Sequence, residues 1–339
     1  MGSDLDADWR SGLLADLGPD SESGWGSDFL AGLVFSGKGV ITLRKKLYII
    51  DYMSITHRMY WAFEKYGLQN ERGEPTSALF GVAGFLLTIL KDNKPDYIVA
   101  AKESSDGTSW RKDMYALYKS NRSEKPVNLV KQYPEIDKFY QMLGIPMISA
   151  PSQEADDIVG SLVKQYSDQV DCMIVSSDKD FMQLISPTTS MYIPQNGGGY
   201  IIANEQEVLK KFDCTPDKVR SILALMGDTA DCVPGAKGIG PKGAAKLIKE
   251  WGSLQNVYCN LDTIKKAHSN KLRDSRMDVA MSYKLVGLNQ DIDLGLTLED
   301  MVTKPLPGKS VYEYLLSHNM NSVASEYFEQ VWEQLKNES

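Results

Sequence analysis

Nine acidic side chains stand where carboxylates can act together. Asp51 ends the apolar run Leu47-Tyr48-Ile49-Ile50, and Glu103 follows the run Tyr97 to Ala101. Glu154, Asp156 and Asp157 open a helical stretch just after Pro146-Met147-Ile148. Asp178 and Asp180 follow Cys172-Met173-Ile174-Val175, and Asp228 and Asp231 lie in Met226-Gly227-Asp228-Thr229-Ala230-Asp231. Functional groups of open α/β sheets gather at the carboxyl ends of strands, so acids from separate segments meet in one crevice. Carboxylates grouped in this way repel one another. Unless cations neutralise them, some must hold protons. An all-oxygen donor set suits Mg²⁺ or Mn²⁺. Taken singly, an Asp at a helix N-terminus is an ordinary cap; the joint pattern is not accounted for that way.

The Asp-x-x-Asp spacing of Asp228 and Asp231 predicts both carboxylates on one face of a helical turn, completing a second metal position. Two ions about 3.5–4 Å apart can serve the attacking and leaving oxygens of an in-line phosphoryl displacement. That chemistry needs neither histidine nor a covalent nucleophile. The sequence offers only His57, His268 and His318. Its four cysteines, Cys172, Cys214, Cys232 and Cys259, form no C-x-x-C pair, so neither a disulfide framework nor a zinc site is expected, and a reducing cytoplasm is.

Two basic segments supply a grip for an anion. Between Val233 and Lys249, Gly238-Ile239-Gly240 makes a tight turn and Pro241 begins a helix, with Lys237, Lys242, Lys246 and Lys249 and no acid. Free backbone N–H groups, a helix dipole and lysines together suit a phosphodiester backbone, with room for a bound K⁺ at the turn. The second segment runs from Arg111 to Lys131 and interleaves Arg111, Lys112, Lys119, Arg122 and Lys125 with Trp110, Tyr115 and Tyr118. Aromatics among cations can stack on nucleobases; the same pattern also describes a solvated helical face.

The elements that must position these groups alternate. Strands are expected at 47–50, 97–101, 146–148 and 172–175, and helices at 76–90, 133–143 and 153–166. Met191-Tyr192-Ile193 and Tyr200-Ile201-Ile202 flank Asn196-Gly197-Gly198-Gly199 as a hairpin, and the chain reads as mainly helical beyond 204. This predicts an α/β fold with a mostly parallel central sheet. No run of about 18 apolar residues exists, so no membrane span is expected. Residues 1–42 form an acidic tail rich in Gly, Ser and Asp, expected to lack a fold of its own. It carries a repeat: Trp9, Ser11, Leu13, Leu14, Ala15 and Leu17 match Trp25, Ser27, Phe29, Leu30, Ala31 and Leu33. The copies read either as chance similarity or as a duplicated docking peptide for a protein partner.

With these motifs in place, the chain resembles the 5′→3′ exonuclease and flap endonuclease superfamily, which includes the nuclease domain of DNA polymerase I. The resemblance runs from about Leu47 to Leu288. It rests on the segment from Gly73 to Val82, on Trp110-Arg111 through Tyr118-Lys119-Ser120-Asn121-Arg122, and on Glu154-Ala155-Asp156-Asp157. Ser177-Asp178-Lys179-Asp180 and the Leu225 to Asp231 stretch with its Gly-Ile-Gly turn complete it. It implies a PIN-like nuclease core at 43–203 with a helical arch at about 104–132. A helix–three-turn–helix DNA-binding region at 204–300 and C-terminal helices at 301–339 would follow. It implies a stand-alone, monomeric enzyme that hydrolyses DNA at 5′ ends and 5′ flaps with two Mg²⁺ ions, Mn²⁺ being a substitute. By motif, Asp51, Glu103, Glu154, Asp156, Asp157, Asp178 and Asp180 would hold the first ion, and Asp228 and Asp231 the second. Lys119 and Arg122 would steer the scissile phosphate, Tyr118 would stack on a base, and Arg111 would bind a phosphate. Lys237, Gly238, Gly240, Lys242 and Lys246 would hold duplex DNA. Three positions depart from the family's pattern: Lys102-Glu103, where an apolar residue and Asp are usual, with Asp106 a rival for the acid; Tyr52, where Gly is common; and Cys232, where Asn is common. The alternatives are a branched-DNA-binding paralogue that does not cut and a PIN-type ribonuclease.

The net charge of −8 sharpens under this division. The tail carries −5, leaving −3, and setting aside the nine acids leaves +6 for the remainder. An acidic tail, an acidic pocket and a basic grip are thus three separate features.

Overall fold

Sheet order follows from the apolar runs. In the computed structural model, which describes residues 33–35, 41–104, 106–196 and 198–338, the strands β1 (Leu33–Phe35) and β2 (Ile41–Leu43) pair antiparallel within residues 1–44. The repeated Trp9 and Trp25 motif lies outside the described residues except for its last position, Leu33.

Residues 45–339 form the second unit. Its sheet consists of β3 (Lys46–Asp51), β4 (Tyr97–Ala101), β5 (Met147–Ile148), β6 (Asp171–Val175), β7 (Thr189–Pro194) and β8 (Tyr200–Ala203), in the spatial order β5-β4-β3-β6-β7-β8. All pairings are parallel except the closing β7–β8 hairpin. Successive strand residues face opposite sides. Leu47 and Ile49 of β3 therefore enter one buried cluster and Tyr48 and Ile50 another. A strand buried on both faces reads as an unbroken apolar run, which is why β3, β4 and β6 were legible.

The helices are α1 (Tyr52–Phe63), α2 (Ser77–Thr88), α3 (Trp110–Met114), α4 (Val127–Val130), α5 (Tyr133–Met142), α6 (Ala155–Tyr166) and α7 (Glu205–Phe212). They continue as α8 (Pro216–Met226), α9 (Pro241–Trp251), α10 (Leu254–Cys259), α11 (Lys266–Asp274), α12 (Arg276–Leu285), α13 (Lys309–Ser317) and α14 (Asn321–Glu338). Residues of α1, α2, α5, α13 and α14 bury their apolar side chains in the cluster with Tyr48 and Ile50, and those of α6, α8, α9 and α12 in the other. Buried apolar area of this kind is the main stabilising contribution to such a layered fold. No helix among the described residues is long and apolar enough to cross a membrane.

Two local expectations change. The stretch expected as an arch carries only the short α3 and α4, joined by turns. Lys119 within it has φ 56°, which breaks any continuous helix there. Asp228 and Asp231 do not lie on a helix. Gly227 ends α8 at φ 68°, where an added Cβ would come within 2.6 Å of the Val233 carbonyl. The chain then reverses, and Asp228 and Val233 exchange backbone hydrogen bonds at 2.9 and 2.7 Å. The turn sends the two carboxylates to different neighbours.

Candidate metal centre and phosphate-binding surface

The order of strands brings the acids together. β3 and β6 are adjacent and parallel, with β4 on the other flank of β3, so the strand order reverses between β3 and β6. Such a switch point opens a crevice at the carboxyl ends. Ile50 pairs with Val175, which puts Asp51 beside Ser176 in the next register position. The Ser176 hydroxyl donates to Asp51 Oδ2 at 2.8 Å, and the Ser54 N–H donates to Oδ1 at 3.1 Å. Asp51 thus caps α1 while facing the pocket. Asp178 caps the turn Lys179–Leu184 through the Asp180 N–H at 2.9 Å.

Burial pushes the Asp51 carboxyl up to about 6, with Asp178 and Glu103 adding to it and the Ser54 and Ser176 hydrogen bonds opposing. Burial, reinforced by Asp178, raises Asp180 to about 7. Asp156 is raised well above its ordinary range by burial and then by Asp178 and Asp51, against Lys119. One oxygen of Asp180, Oδ1, is buried with no hydrogen-bond partner. These four acids act on one another's charge, so the set gains from a positive ion, and carboxylate oxygens are the donor type that a hard divalent ion takes.

The other five carboxylates are paired with cations of the chain. Glu154 accepts from Lys119 Nζ at 2.8 Å, Ser109 Oγ at 2.8 Å, Tyr118 OH at 3.1 Å and Arg111 Nη1 at 3.3 Å. Burial works to raise its pKa, but Lys119 and Arg111 outweigh it and hold the group below the carboxylate range. Glu103 lies 3.7 Å from Lys125 Nζ. Asp228 pairs with Lys179, and Asp231 with Arg122. Among the described residues no three such side chains stand close enough together to hold a metal ion as they are.

Asp157 is a correction. It is 0 % exposed and accepts from Arg111 Nη1 at 2.7 Å, Arg111 Nη2 at 2.8 Å, Trp110 Nε1 at 3.0 Å and the Asn289 N–H at 2.8 Å. Its oxygens are spoken for, so it holds the arch base rather than a metal. Arg111 is corrected with it. At 1 % exposure, it also donates to the Leu285 and Gly287 carbonyls at 2.7 and 2.8 Å, and it has no open path to a phosphate. The Tyr118 ring is buried and its hydroxyl is spent on Glu154, so it offers no face to a nucleobase.

Lys119 and Arg122 do reach the pocket. The Lys119 N–H donates to the Asp231 carbonyl at 2.9 Å, and Arg122 Nε and Nη2 both donate to Asp231 Oδ1, at 2.9 and 2.7 Å. Of the two rival acids after β4, Glu103 acts on Asp51. Asp106 is turned into its own loop, where Ser104 and Thr108 lower it to about 2. Two of the departures are partners: Tyr52 OH donates to Asp137 Oδ1 at 2.6 Å, and Lys102 Nζ lies 2.7 Å from Asp137 Oδ2. Cys232 takes φ 56°, a backbone region in which Asn is the easier fit.

The turn between α8 and α9 lies beside this pocket in sequence. Gly238 has φ 78°, and Gly240 precedes Pro241 without a side chain to cap α9, so the first-turn N–H groups lack that partner. Lys242 and Lys246 stand on the first turns of α9. Where a K⁺ was expected, Lys271 Nζ donates to the Gly238 carbonyl at 2.9 Å. Residues that sequence reasoning missed are Lys179, set between two pocket acids, Ser176, and Arg58, which reaches Ser177 Oγ at 3.3 Å and Asn196 Oδ1 at 2.9 Å. Lys179 was visible within the Ser-Asp-Lys-Asp motif and Ser176 as its flank.

Comparison with known proteins gives the family and the fold. Residues 46–213 match the 5′-3′ exonuclease N-terminal resolvase-like domain, and residues 214–308 match the 5′-3′ exonuclease C-terminal SAM fold. A 5′-3′ exonuclease of Aquifex aeolicus is 33% identical over 283 residues, covering 83% of this chain and 95% of that protein. A 5′-3′ exonuclease of Bacillus subtilis is 31% identical over 258 residues, covering 75% of this chain and 87% of that protein. DNA polymerase I of Chloroflexus aurantiacus is 34% identical, but this chain spans only 27% of its length. Among solved structures, the fold is shared with T5 5′-exonuclease bound to zinc, at TM-score 0.58 and 17% identity, over 85% of this chain and 99% of that one. It is shared equally with the catalytic core of Rad2 in complex with DNA substrate, at TM-score 0.58 and 17% identity, over 85% and 92%. The two matched domains and the exonuclease relatives place this chain in the 5′→3′ exonuclease family of metal-dependent nucleases.

Proposed function

We propose that the chain hydrolyses DNA phosphodiesters at 5′ ends and 5′ flaps, with Mg²⁺ as the working ion and Mn²⁺ as a substitute. The observation that supports this reading is the cluster of Asp51, Asp156 and Asp180, each raised in pKa by burial and by the neighbouring charge of Asp178, beside Lys119 and Arg122. Asp51, Asp156 and Asp178, with Glu103 and Glu154 at the edge, would hold one ion, and Asp180, Asp228 and Asp231 a second. Two such ions supply an activated water and offset charge on the leaving oxygen. Arg111, Asp157 and Trp110 fix the base of the segment that carries Lys119. Lys119, beside Glu154, and Arg122, beside Asp231, orient the scissile phosphate and face the charge that develops on it. Lys237, Lys242, Lys246 and the N-terminus of α9 hold the duplex without reading sequence. A K⁺ at the Gly238–Gly240 turn would compete there with Lys271.

The test is cleavage of a labelled 5′-flap substrate with Mg²⁺, against EDTA and against Asp178→Asn. The expected result is a metal-dependent product absent in both controls. Retained flap binding with no product would leave a non-cutting DNA-binding protein, and an RNA strand in place of the flap tests primer removal. For the tail, we propose that the repeat around Trp9 and Trp25 docks on a partner protein. Deletion of residues 1–42 should then leave flap cleavage intact and remove a partner from pull-downs; unchanged recovery rules the docking role out.

A further inference from the structure

The Asp228–Val233 turn is closed by the chain's own cations. Lys179 projects from the turn after β6 onto Asp228, and Arg122 places two donors on Asp231 Oδ1. The latch extends to the backbone: the Lys119 N–H donates to the Asp231 carbonyl at 2.9 Å, and Asn121 Nδ2 donates to the Thr229 carbonyl at 2.8 Å. Lys179 has a second relation to the pocket. It sits between Asp178 and Asp180 in sequence, and its ammonium donates to Asp228 Oδ2. Asp180 Oδ1 meanwhile stays buried and unpartnered next to this occupied turn.

We propose that Lys179 and Arg122 are stand-in cations at the second metal position, and that loading of that position and release of Arg122 toward a DNA phosphate are one linked event. The inference rests on the two-ion reading above and goes beyond it by naming what must move. Arg122 is half exposed, with a side chain 51% accessible, and an ion pair of that kind is weak. A divalent ion at Asp231 therefore displaces it readily. Lys179 is 31% accessible, less than Arg122, and its ammonium lies directly on Asp228, so it is the stronger competitor. If a metal ion and Arg122 compete for Asp231, and freed Arg122 then meets phosphate, metal and DNA must tighten each other's binding by the same factor. Lys179 and Arg122 act here as positioning residues, through the carboxylates they cover.

The experiment is a calorimetric titration of the DNA-free full chain with Mn²⁺ alone. The expected result is a tight and a weak event in the unmodified protein. Lys179→Met should tighten the weak event by at least about 5-fold and leave the tight one in place, and Arg122→Gln should act in the same direction more mildly. A single event that becomes two in Lys179→Met supports the inference equally. An unchanged or weakened second event in both variants overturns it, and a single event in all three proteins does the same. Should Lys179→Met fail to fold, Arg122→Gln, on an exposed side chain, decides. For the link to DNA, Ca²⁺ should raise 5′-flap affinity in fluorescence anisotropy, and Arg122→Gln should lose most of that gain; a full gain in the variant overturns the coupling. Asp178→Asn separates the two readings. If it leaves all Mn²⁺ binding intact, the metal-site reading falls; if it removes binding while Lys179→Met changes nothing, only the stand-in cations fall.

Discussion

Arg111 and Asp157 are joined through both guanidinium nitrogens, at 2.7 and 2.8 Å, in a position that solvent does not reach. The same guanidinium holds the carbonyls of Leu285 and Gly287, so one side chain ties α3, α6 and the end of α12 together. A buried pair broken from one side leaves an uncompensated charge, which costs about 3–5 kcal/mol. Arg111→Ala should therefore lower thermal stability sharply, while the folded fraction binds duplex DNA normally. The check is a melting curve beside a binding titration corrected for active protein. Normal stability with a selective loss of DNA affinity would restore Arg111 to the phosphate surface.

Lys119 differs from Arg111 although both lie in the same basic run. Its ammonium is on Glu154 at the pocket's rim, and its backbone is pinned to Asp231. A cation aimed at charge that develops in the transition state is worth about 10²–10³ in rate. Lys119→Ala should slow single-turnover flap cleavage on that scale and change duplex Kd little. Equal losses in rate and affinity would mean that the contact is made in the ground state and carries no special role in the transition state.

Asp180 is an unsatisfied acid of the pocket. It is half-buried, pushed up to about 7 and left with one buried, unpartnered oxygen. Asp180→Asn removes a repelling charge, so the metal-free protein should melt higher, each recovered kcal/mol raising Tm by about 2–4 °C. The added stabilisation that Mg²⁺ gives the unmodified protein should shrink, and flap cleavage should be lost. A lower Tm in EDTA would show that the carboxylate is a structural partner rather than a site held ready for a cation.

How much of this was readable beforehand depends on which residues carry it. β3, β4 and β6 are buried on both faces, so their apolar runs and terminal acids showed directly. The Asp228–Asp231 geometry did not, because Gly227 at φ 68° ends α8 one residue early and converts a helical spacing into a reversal. Nor does a basic run say which cation turns inward. Arg111 and Lys119 are separated only by which of them meets Asp157, a fact of tertiary packing.

The turn lysines make a different prediction. Lys242 and Lys246 are on α9 beyond the uncapped Gly240, facing no acid in their own segment. Contacts to phosphate are indifferent to base identity and release counterions. Lys242→Ala and Lys246→Ala should each weaken duplex binding evenly across unrelated sequences and reduce the salt slope by about 1. The measurement is Kd against salt concentration on two duplexes of different sequence. A sequence-dependent loss, or an unchanged slope, would exclude a backbone grip.

Lys102 and Tyr52 read as separate departures from the family's pattern, yet both end on Asp137. Lys102 Nζ is 2.7–2.8 Å from its two oxygens, Tyr52 OH is 2.6 Å from Oδ1, and the ammonium lies 4.5 Å from the Tyr52 ring centroid. Tying Lys102 to α5 anchors the segment that carries Glu103, whose charge acts on Asp51. On this argument the Lys102–Glu103 change is one repair made of several residues. Asp137→Ala strands the ammonium and frees the segment, so it should slow cleavage and raise the Mg²⁺ concentration needed. Adding Lys102→Met should recover part of both losses, because the stranded charge is gone. A double-mutant cycle on single-turnover rate and on Tm reads the coupling, expected at about 0.5–3 kcal/mol for residues in one network. Strictly additive losses would mean that Lys102 and Asp137 are independent, and that Glu103 owes its anchoring to something else.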